Sequence, residues 1–532
     1  MRGLVHELTL LQERDGWLSE PELSALAKRL NVPLHRLESV STFYTTFRRA
    51  PPKRVELAVC RDLSCAMAGG GEAAEWLRAA LAGRDDVEIR EVSCIGRCDR
   101  APVAFVGHDV VSTTEADKVV AIVDGRSPDP EVRERPNWGE AEVYRDPADR
   151  HGTLRAALGG DRWALCKTLA VSGLRGMGGA GFPTGQKWTL VADEPATPKY
   201  VICNADESEP GTFKDREVLR DLSHLVIEGM ALAAYCIGAE RGWVFIRHEY
   251  APERVALQAA IDAAYAAGAL GKNIFGSAFS FDLEVFVSPG GYILGEETAL
   301  LECMEDRRGE PRIKPPFPGV EGLWNQPTLF NNVETFAHVT GILHHGVDWW
   351  RSLGEGDHAG HKFVSVSGDV KRPGVVLVPM GTTLAELLER CGGMRDGQEL
   401  IAVAPGGASS NFLPPDQLDV AIDFGTLEAA GSMLGSGAVV FVGESSDLLE
   451  AGRSLTRFFR NESCGKCVPC RVGTEKAVKM LELAADVSDD QQEELEELHA
   501  TLARTSICGL GQVALGPLLS ILRNFPIASE RD

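Results

Sequence analysis

Hydrophobic positions make the first divisions of this chain. Up to about residue 50 they recur at helical spacing, as at Leu23, Leu26 and Leu30, and Ser19-Glu20-Pro21-Glu22 reads as a capping box that starts that helix. At Val55 the period changes. Val55 to Val59 reads as a strand, a helix passes through Trp76 and Leu77, and a second strand runs from Val87 to Val92, an alternation that predicts a compact α/β layer. The polar, Pro-rich stretch from Gly125 through Pro136 reads as a linker. From about residue 150 to 355, apolar runs at Tyr200 to Ile202, Trp243 to Ile246 and Leu283 to Val287 alternate with Ala-rich helical stretches, which predicts a parallel, nucleotide-binding style of sheet. Two short strands around Arg372-Pro373-Gly374 and a helix at Leu384 to Leu388 suggest a β-grasp module. From about Ser445 the pattern is helical, with Ser488-Asp489-Asp490-Gln491 as a cap.

Composition narrows the class. A chain of 532 residues with 44% hydrophobic content has material for several filled cores. Its formal charge of −23 repels polyanions, so nucleic acid and anionic membrane surfaces are excluded as partners. The opening Met1 to Glu7 lacks the pattern of an export signal. The most apolar later segment, Leu225 to Ile237, is broken by Glu228 and falls short of the roughly 20 residues that span a bilayer. The expectation is a soluble, cytoplasmic protein whose thiols stay reduced, so its thirteen cysteines point to metal ligation or buried thiols rather than disulfides. Eight of them form two sets: Cys60, Cys65, Cys94, Cys98, and Cys464, Cys467, Cys470, Cys508. Cys166, Cys203, Cys236, Cys303 and Cys391 stand singly and read as buried structural thiols.

The candidate chemistry begins at Gly173, where five glycines occur in the nine residues to Gly181, followed by Phe182 and Lys187. Such a loop brings backbone N–H groups close to a phosphate, and the lysine adds a charge. It is neither a Walker loop nor the usual dinucleotide G-x-G-x-x-G. Asn204-Ala205-Asp206-Glu207-Ser208-Glu209 follows a predicted strand, and Gly290-Gly291-Tyr292 to Glu296-Glu297-Thr298 ends another, so both gather polar groups where α/β sheets place ligands. Arg312-Ile313-Lys314 to Phe317-Pro318 and Asn331-Asn332-Val333-Glu334-Thr335 complete the set. C-x2-C-x2-C at Cys464, Cys467 and Cys470 with a remote Cys508 is the ligation pattern of a [4Fe–4S] cluster, with structural zinc as the alternative. Cys60 and Cys65, then Cys94 and Cys98, lie on two loops that each follow a strand; paired thiolates suit a [2Fe–2S] rhomb, with a regulatory disulfide pair as the alternative.

In this order, from about residue 150 to the end, the motifs resemble the FMN- and NADH-binding subunit of respiratory complex I and its relatives, the diaphorase subunits of NAD-linked hydrogenases and formate dehydrogenases. The resemblance implies that Gly176, Gly178, Gly179 and Gly181, with Lys187, Asn204, Asp206, Tyr292, Glu296, Asn331 and Asn332, hold FMN. It implies that Phe182, Glu209, Glu297, Lys314, Phe317 and Pro318 line the NADH site; Glu207, Gly295 and Thr335 count among the cofactor-binding candidates. Residues 1 to about 125, with Ser41-Thr42-Phe43-Tyr44, resemble the thioredoxin-like [2Fe–2S] subunit of the same assembly. Two departures stand out: Leu294 occupies a position where the family often has cysteine, and His248 one where glycine is expected.

The fold class that follows is a multidomain α/β protein. A helical plus thioredoxin-like ferredoxin domain spans 1–126 and a linker 127–150, followed by a Rossmann-like FMN/NAD domain over 151–355. A β-grasp (SLBB-like) module spans 360–435 and a helical [4Fe–4S] domain 440–530. The implied cofactors are FMN, NAD(H), a [4Fe–4S] and a [2Fe–2S] cluster. The implied function is a diaphorase that exchanges hydride between NAD(H) and FMN and passes single electrons to or from a partner. Fusion of both modules and Asp62-Leu63-Ser64-Cys65-Ala66-Met67 point to a molybdopterin formate dehydrogenase α subunit as that partner. A complex I-like enzyme and an NAD-reducing hydrogenase are the alternatives, and a redox-sensing or scaffold subunit is the alternative of another class. No side chain is expected to act as an acid or base in the hydride step.

Overall fold

The computed structural model describes residues 3–107, 109–126, 138–482 and 487–526. Helices Leu4–Asp15, Glu20–Leu30 and Leu34–Ser41 form the first layer. Ser19 caps the second of them, accepting from the Glu22 N–H, but the reciprocal half of the expected capping box is replaced by an ion pair from Glu22 to Arg14. At Ser488 and Gln491 both halves of the box are present.

The next module holds β1 (Val55–Cys60), β2 (Val87–Val92), β3 (Val103–Val106) and β4 (Asp109–Ser112) in the order β2-β1-β3-β4. Only the β1–β2 pair is parallel, which matches the helix Gly70–Ala80 between them. Of the segment expected as a linker, 127–137 lies outside the described residues. Its remainder is packed: the Trp138 indole N–H donates to Asp221 Oδ2 at 3.0 Å, and the Tyr144 hydroxyl lies 2.9 Å from both oxygens of Glu228. Glu228, the charge that interrupts the apolar helix Ser223–Ile237, is thus fully buried but partnered. Burial pushes its carboxyl up to about 7.

The central sheet is wholly parallel: β5 (Tyr200–Ala205), β6 (Arg241–Arg247), β7 (Asp282–Ser288) and β8 (Thr328–Asn332), in the order β7-β6-β5-β8. Alternation along its strands fills two cores. Val201, Cys203, Val244, Ile246 and Leu329 face one that belongs to this domain. Tyr200, Ile202, Phe245 and Phe330 face another, shared with the N-terminal helices and with Phe458 and Phe459 of the C-terminal helices. Both faces of the sheet are covered, as a parallel sheet requires. Cys166 and Cys236, expected as separate thiols, meet on this domain's helices, where their sulfurs interact and the Cys236 thiol also reaches the Arg162 carbonyl at 3.4 Å.

The third sheet contains β9 (His361–Gly368), β10 (Gly374–Pro379), β11 (Leu400–Ala404) and β12 (Ala438–Gly443), in the order β10-β9-β12-β11, with a separate small core. Helices Leu448–Glu462, Val468–Glu482, Asp489–Thr505 and Gly516–Asn524 close the chain. Among the described residues no helix is long and apolar enough to cross a membrane.

Candidate functional site

The sheet order fixes where a ligand can enter. From β5 the chain steps to β6 and β7, then returns to the opposite side of β5 as β8, so the direction of winding reverses between β5 and β8. At such a switch point the loops leaving the carboxyl ends diverge and leave a crevice. Asn204 at the end of β5 is in register with Asn332 at the end of β8. The glycine loop is pinned across this point by the Met177 N–H, which donates to Thr335 Oγ1 at 2.9 Å. Gly178 lies so close to Asn332 that a Cβ would come within 2.9 Å of its Cβ, while Gly179 and Gly181 take φ of +128° and +62°. No residue larger than glycine could lie this flat here.

The polar groups at these strand ends have fixed partners, with one exception. Asn204 Nδ2 donates to the Gly295 carbonyl at 2.8 Å, and its Oδ1 accepts from the Asp206 N–H at 3.1 Å. Asn331 Oδ1 accepts from the Trp188 indole at 2.8 Å. Asn332 Oδ1 caps helix Val333–His345. Asp206 is buried and its Oδ1 has no protein partner; burial pushes its carboxyl up to about 7. A buried acceptor without a donor is costly, and a hydroxyl-bearing ligand would supply one. At the rim, Lys187 Nζ lies 5.9 Å from the centroid of the exposed Phe182 ring and donates to the Phe330 carbonyl. Burial lowers the Lys187 pKa against the nearby Glu297. Lys314 pairs with Glu296 at 2.9 Å and with Glu297 at 3.5 Å. Phe317 is exposed and Pro318 is buried beside it, its carbonyl accepting from the Thr328 N–H.

Three expected cofactor-binding residues also carry structural contacts. Glu207 has both oxygens engaged: they accept from the Asp215 and Arg216 N–H groups, capping helix Lys214–Asp221, and from the Tyr250 hydroxyl at 2.9 Å. Glu296 is the N-cap of helix Glu297–Met304, accepting from the Thr298 and Ala299 N–H groups. Glu209 accepts from the Ser409 N–H of the third module at 3.0 Å. Of the two departures, Leu294 is fully buried in the core, and His248 is half-exposed beside Glu249 and close to Gly290.

The N-terminal cysteines are all buried and their sulfurs touch in sequence. Cys60 interacts with Cys65 and Cys94, and Cys94 with Cys98 at 3.4 Å. These contacts push the Cys60 thiol up and the Cys94 thiol down. Backbone N–H groups of Gly96 and Gly211 point at Cys94 and Cys98 Sγ, each at 3.4 Å. Among the described residues no three ligands close on a single ion; two thiolate pairs side by side suit a two-iron rhomb better than one tetrahedral zinc. Gly211 belongs to the loop after β5, so this module is docked directly behind the crevice. Arg216 pairs with Asp99 at 2.9 Å and donates to the Gly96 carbonyl, and Arg247 donates to the carbonyls of Cys94 and Glu207. These two buried arginines were not singled out from the sequence; Arg247 ends an apolar strand, and Arg216 sits in the charged helix Lys214–Asp221 with no local sign of burial.

Cys464 and Cys467 are half-buried, whereas Cys470 and Cys508 are buried. Cys470 lies within electrostatic reach of Cys464, Cys467 and Cys508, and Cys508 within reach of Cys464. Burial pushes Cys470 up to about 12 and Cys508 up to about 11, and amides of Gly511 and Leu510 at the start of helix Gly509–Val513 aim at Cys508. Thiols buried this way bind as thiolates only beside compensating metal charge. Lys466 ties the loop to the Pro311 carbonyl near the rim. A cavity of about 1440 Å³ forms an open cleft between the N-terminal modules and β6–β7 and reaches Ser208, Cys94, Tyr292 and Glu462.

A switch-point crevice with a glycine cradle, backed by two cysteine sets, defines a flavin- and iron–sulfur-binding oxidoreductase that takes NADH. Family models agree along the chain: a thioredoxin-like [2Fe-2S] ferredoxin over 2–126, the Nuo51 FMN-binding domain over 169–341, an SLBB domain over 363–412 and the NADH-ubiquinone oxidoreductase-F iron-sulfur binding region over 450–531. The F 2 subunit of the NADH-quinone oxidoreductase of Rhizobium meliloti (strain 1021) is 45% identical over 364 residues, 68% of this chain and 86% of that protein. The corresponding F subunit of Escherichia coli (strain K12) is 42% identical over 398 residues, 74% of this chain and 88% of its own. The HndC subunit of the NADP-reducing hydrogenase of Solidesulfovibrio fructosivorans is 43% identical over 357 residues, 66% and 73% of the two chains. A chain in the crystal structure of an NAD+-reducing [NiFe]-hydrogenase in the H2-reduced state superposes with a TM-score of 0.88 at 30% identity, covering 98% of this chain and 92% of that one. The chain belongs to the family of NADH-quinone oxidoreductase F subunits, with binding domains for FMN, NADH, a [2Fe–2S] and a [4Fe–4S] cluster.

Proposed function

We propose that this chain exchanges hydride between NAD(H) and FMN at the β5–β8 crevice and relays single electrons to or from a partner protein through both cysteine sets. The observation that carries the reading is a crevice whose floor is glycine and whose walls are Asn204, Asn331 and Asn332, with the buried Asp206, whose Oδ1 has no hydrogen-bond partner, two residues beyond Asn204 at the end of β5. In this reading the glycine loop takes the phosphate, Asp206 receives a ribityl hydroxyl, and Lys187 supplies positive charge. Phe182 and Phe317 offer exposed faces for an adenine. Glu297, beside Lys314 at 3.5 Å, accepts from ribose hydroxyls. Bound FMN converts two-electron into one-electron chemistry; the chain's residues orient the two ring systems and keep the reaction out of bulk water. Cys60, Cys65, Cys94 and Cys98 would ligate the two-iron cluster, and Cys464, Cys467, Cys470 and Cys508 the four-iron cluster.

The partner is the narrower question. The N-terminal fusion does not single out formate dehydrogenase, because the alignment with the hydrogenase chain spans 98% of this one and so takes in both modules. Its relatives support a complex I-like or hydrogenase-type assembly; a molybdopterin formate dehydrogenase α subunit is the partner that the run around Cys65 favours. Isolating the native complex and identifying its second component decides among the three. NADH-driven ferricyanide reduction by the purified chain tests the reading itself, and a chain loaded with flavin and iron that reduces no ferricyanide would instead be a sensor or scaffold.

A further inference from the structure

One carboxylate touches all three modules that carry redox chemistry. Glu462 is the last residue of helix Leu448–Glu462 and precedes Cys464 by two positions. Its Oε1 accepts from Ser93 Oγ at 2.5 Å, next to Cys94, and its Oε2 accepts from the Tyr292 N–H at 2.8 Å. The Tyr292 ring packs against Phe458 of the same helix at 5.0 Å, and its hydroxyl lies 3.2 Å from Ser409 Oγ of the β-grasp module. The short helix Leu63–Met67, which bears Cys65, also packs on helix Leu448–Glu462.

The helix gains nothing from a glutamate here. A negative charge at a helix C-terminus faces the negative end of the macrodipole, and both oxygens of Glu462 are given to other modules. The residue is only half-buried and lines the floor of the open cleft, so the geometry is not one of a core charge without which the fold collapses. A fixed negative charge beside a cluster disfavours adding an electron to it.

We propose that Glu462 is a positioning residue that clamps the Cys94 loop, the Tyr292 loop and the Cys464 loop together, and that its charge lowers the reduction potential of the N-terminal cluster. The second half rests on the cluster assignment made above; the first does not. Two substitutions in the full-length holoprotein separate geometry from charge. Glu462→Gln keeps both hydrogen bonds, its carbonyl accepting from the Tyr292 N–H and its NH2 donating to Ser93 Oγ, and removes the charge. Glu462→Ala removes both.

The readouts are hydrogen exchange of the Tyr292 amide and the Ser93 to Cys98 segment, and an EPR-monitored redox titration of the two-iron signal. With Gln, exchange stays as in the parent and the midpoint moves up. With Ala, exchange at both sites accelerates severalfold and the midpoint again moves up, with a broadened signal. Parent-like exchange in Glu462→Ala overturns the clamp, and a parent-like midpoint in Glu462→Gln overturns the charge effect. Should the alanine variant fail to fold, Ser93→Ala cuts one arm and must loosen the Cys94 loop while leaving Tyr292 protected. A parent protein without a two-iron signal defeats the cluster assignment, whereas the exchange measurements still judge the clamp.

Discussion

Removing the charge of Glu334 should destabilise the flavin domain more than any surface substitution can. Glu334 opens helix Val333–His345 and is fully buried, as is Lys362 at the start of β9; Lys214, in helix Lys214–Asp221, is 1% exposed. Its carboxylate pairs with Lys214 at 2.8 Å, with Lys362, and accepts from the Phe363 N–H at 2.9 Å. Burial opposes its ionisation, but the two lysines outweigh it and hold the carboxyl well below its usual range. Burial pushes Lys362 down to about 8. At an effective dielectric of about 20, a pair 2.8 Å apart is worth about 6 kcal/mol gross, most of it offset by desolvation of the ions. Glu334→Ala strips the buried Lys362 of its carboxylate partner and leaves Lys214 to Asp215 at 2.7 Å, and deleting one member of a buried pair costs about 3–5 kcal/mol. For a domain of about 200 residues that is a fall of roughly 6–20 °C in Tm. Thermal unfolding followed by tryptophan fluorescence and by FMN release measures it. Glu334→Gln, which can still accept from the Phe363 N–H, should fall between the two. A Tm for Glu334→Ala within about 3 °C of the parent would refute the reasoning, because it would mean that Lys362 simply sheds its proton or that water replaces the carboxylate.

Metal and flavin analysis of the purified protein should find about six irons and one FMN per chain, from a two-iron and a four-iron cluster; stoichiometric zinc in place of iron would overturn both assignments. Cys467→Ser should abolish the four-iron EPR signal and leave the two-iron one, whereas Cys236→Ser should keep both; equal iron loss would mean that the division of the cysteines is wrong. Glu297→Ala should narrow the NADH:NADPH ratio of kcat/KM, because the carboxylate near the rim repels a 2′-phosphate; an unchanged ratio would place specificity elsewhere. Asp206 titrates near 7 in the fold and near 3.8 when unfolded, so the folded state holds a proton that the unfolded chain loses between those values. Its contribution therefore makes the flavin-free protein less stable as pH rises from about 4 to 7, by at most about 1.4 kcal/mol per pH unit. Asp206→Asn should flatten the urea-unfolding slope in that window, and an unaltered slope would mean that the carboxylate is solvated.

Much of the architecture was legible because it rests on short-range pattern. Strand runs such as Trp243 to Ile246 and the spacing of the two cysteine sets need no tertiary information. Assignment within a run was less secure. Asn204 to Glu209 supplies several polar side chains at the end of one strand, and only the packed helix Lys214–Asp221 shows that Glu207 turns to cap it while Asp206 keeps an oxygen without a partner. Glu296 and Glu297 are adjacent and identical in type; the backbone turn at Gly295 makes the first the cap. Contacts between distant segments carried no local signal. Glu228 reads from sequence as a break in an apolar helix, and its partner Tyr144 lies 84 residues away in a stretch that reads as linker.

The amide of Gly211 donates to Cys98 Sγ, and Gly211 itself sits at φ +93° with the β-grasp Val440 3.1 Å from where a Cβ would lie. Beside it, Arg216 and Arg247 bury their guanidinium groups against Asp99 and the carbonyls of Gly96 and Cys94. If the first 126 residues were cut away, those donors and the buried ring of Phe213 would meet water without their acceptors. A shortened chain would then recover its native surface only by recruiting a separate ferredoxin-like protein, at a strength set by that protein's abundance. Joined on one polypeptide, the same contact forms at a fixed local concentration, so the stoichiometry of the two modules does not depend on how much of each the cell makes.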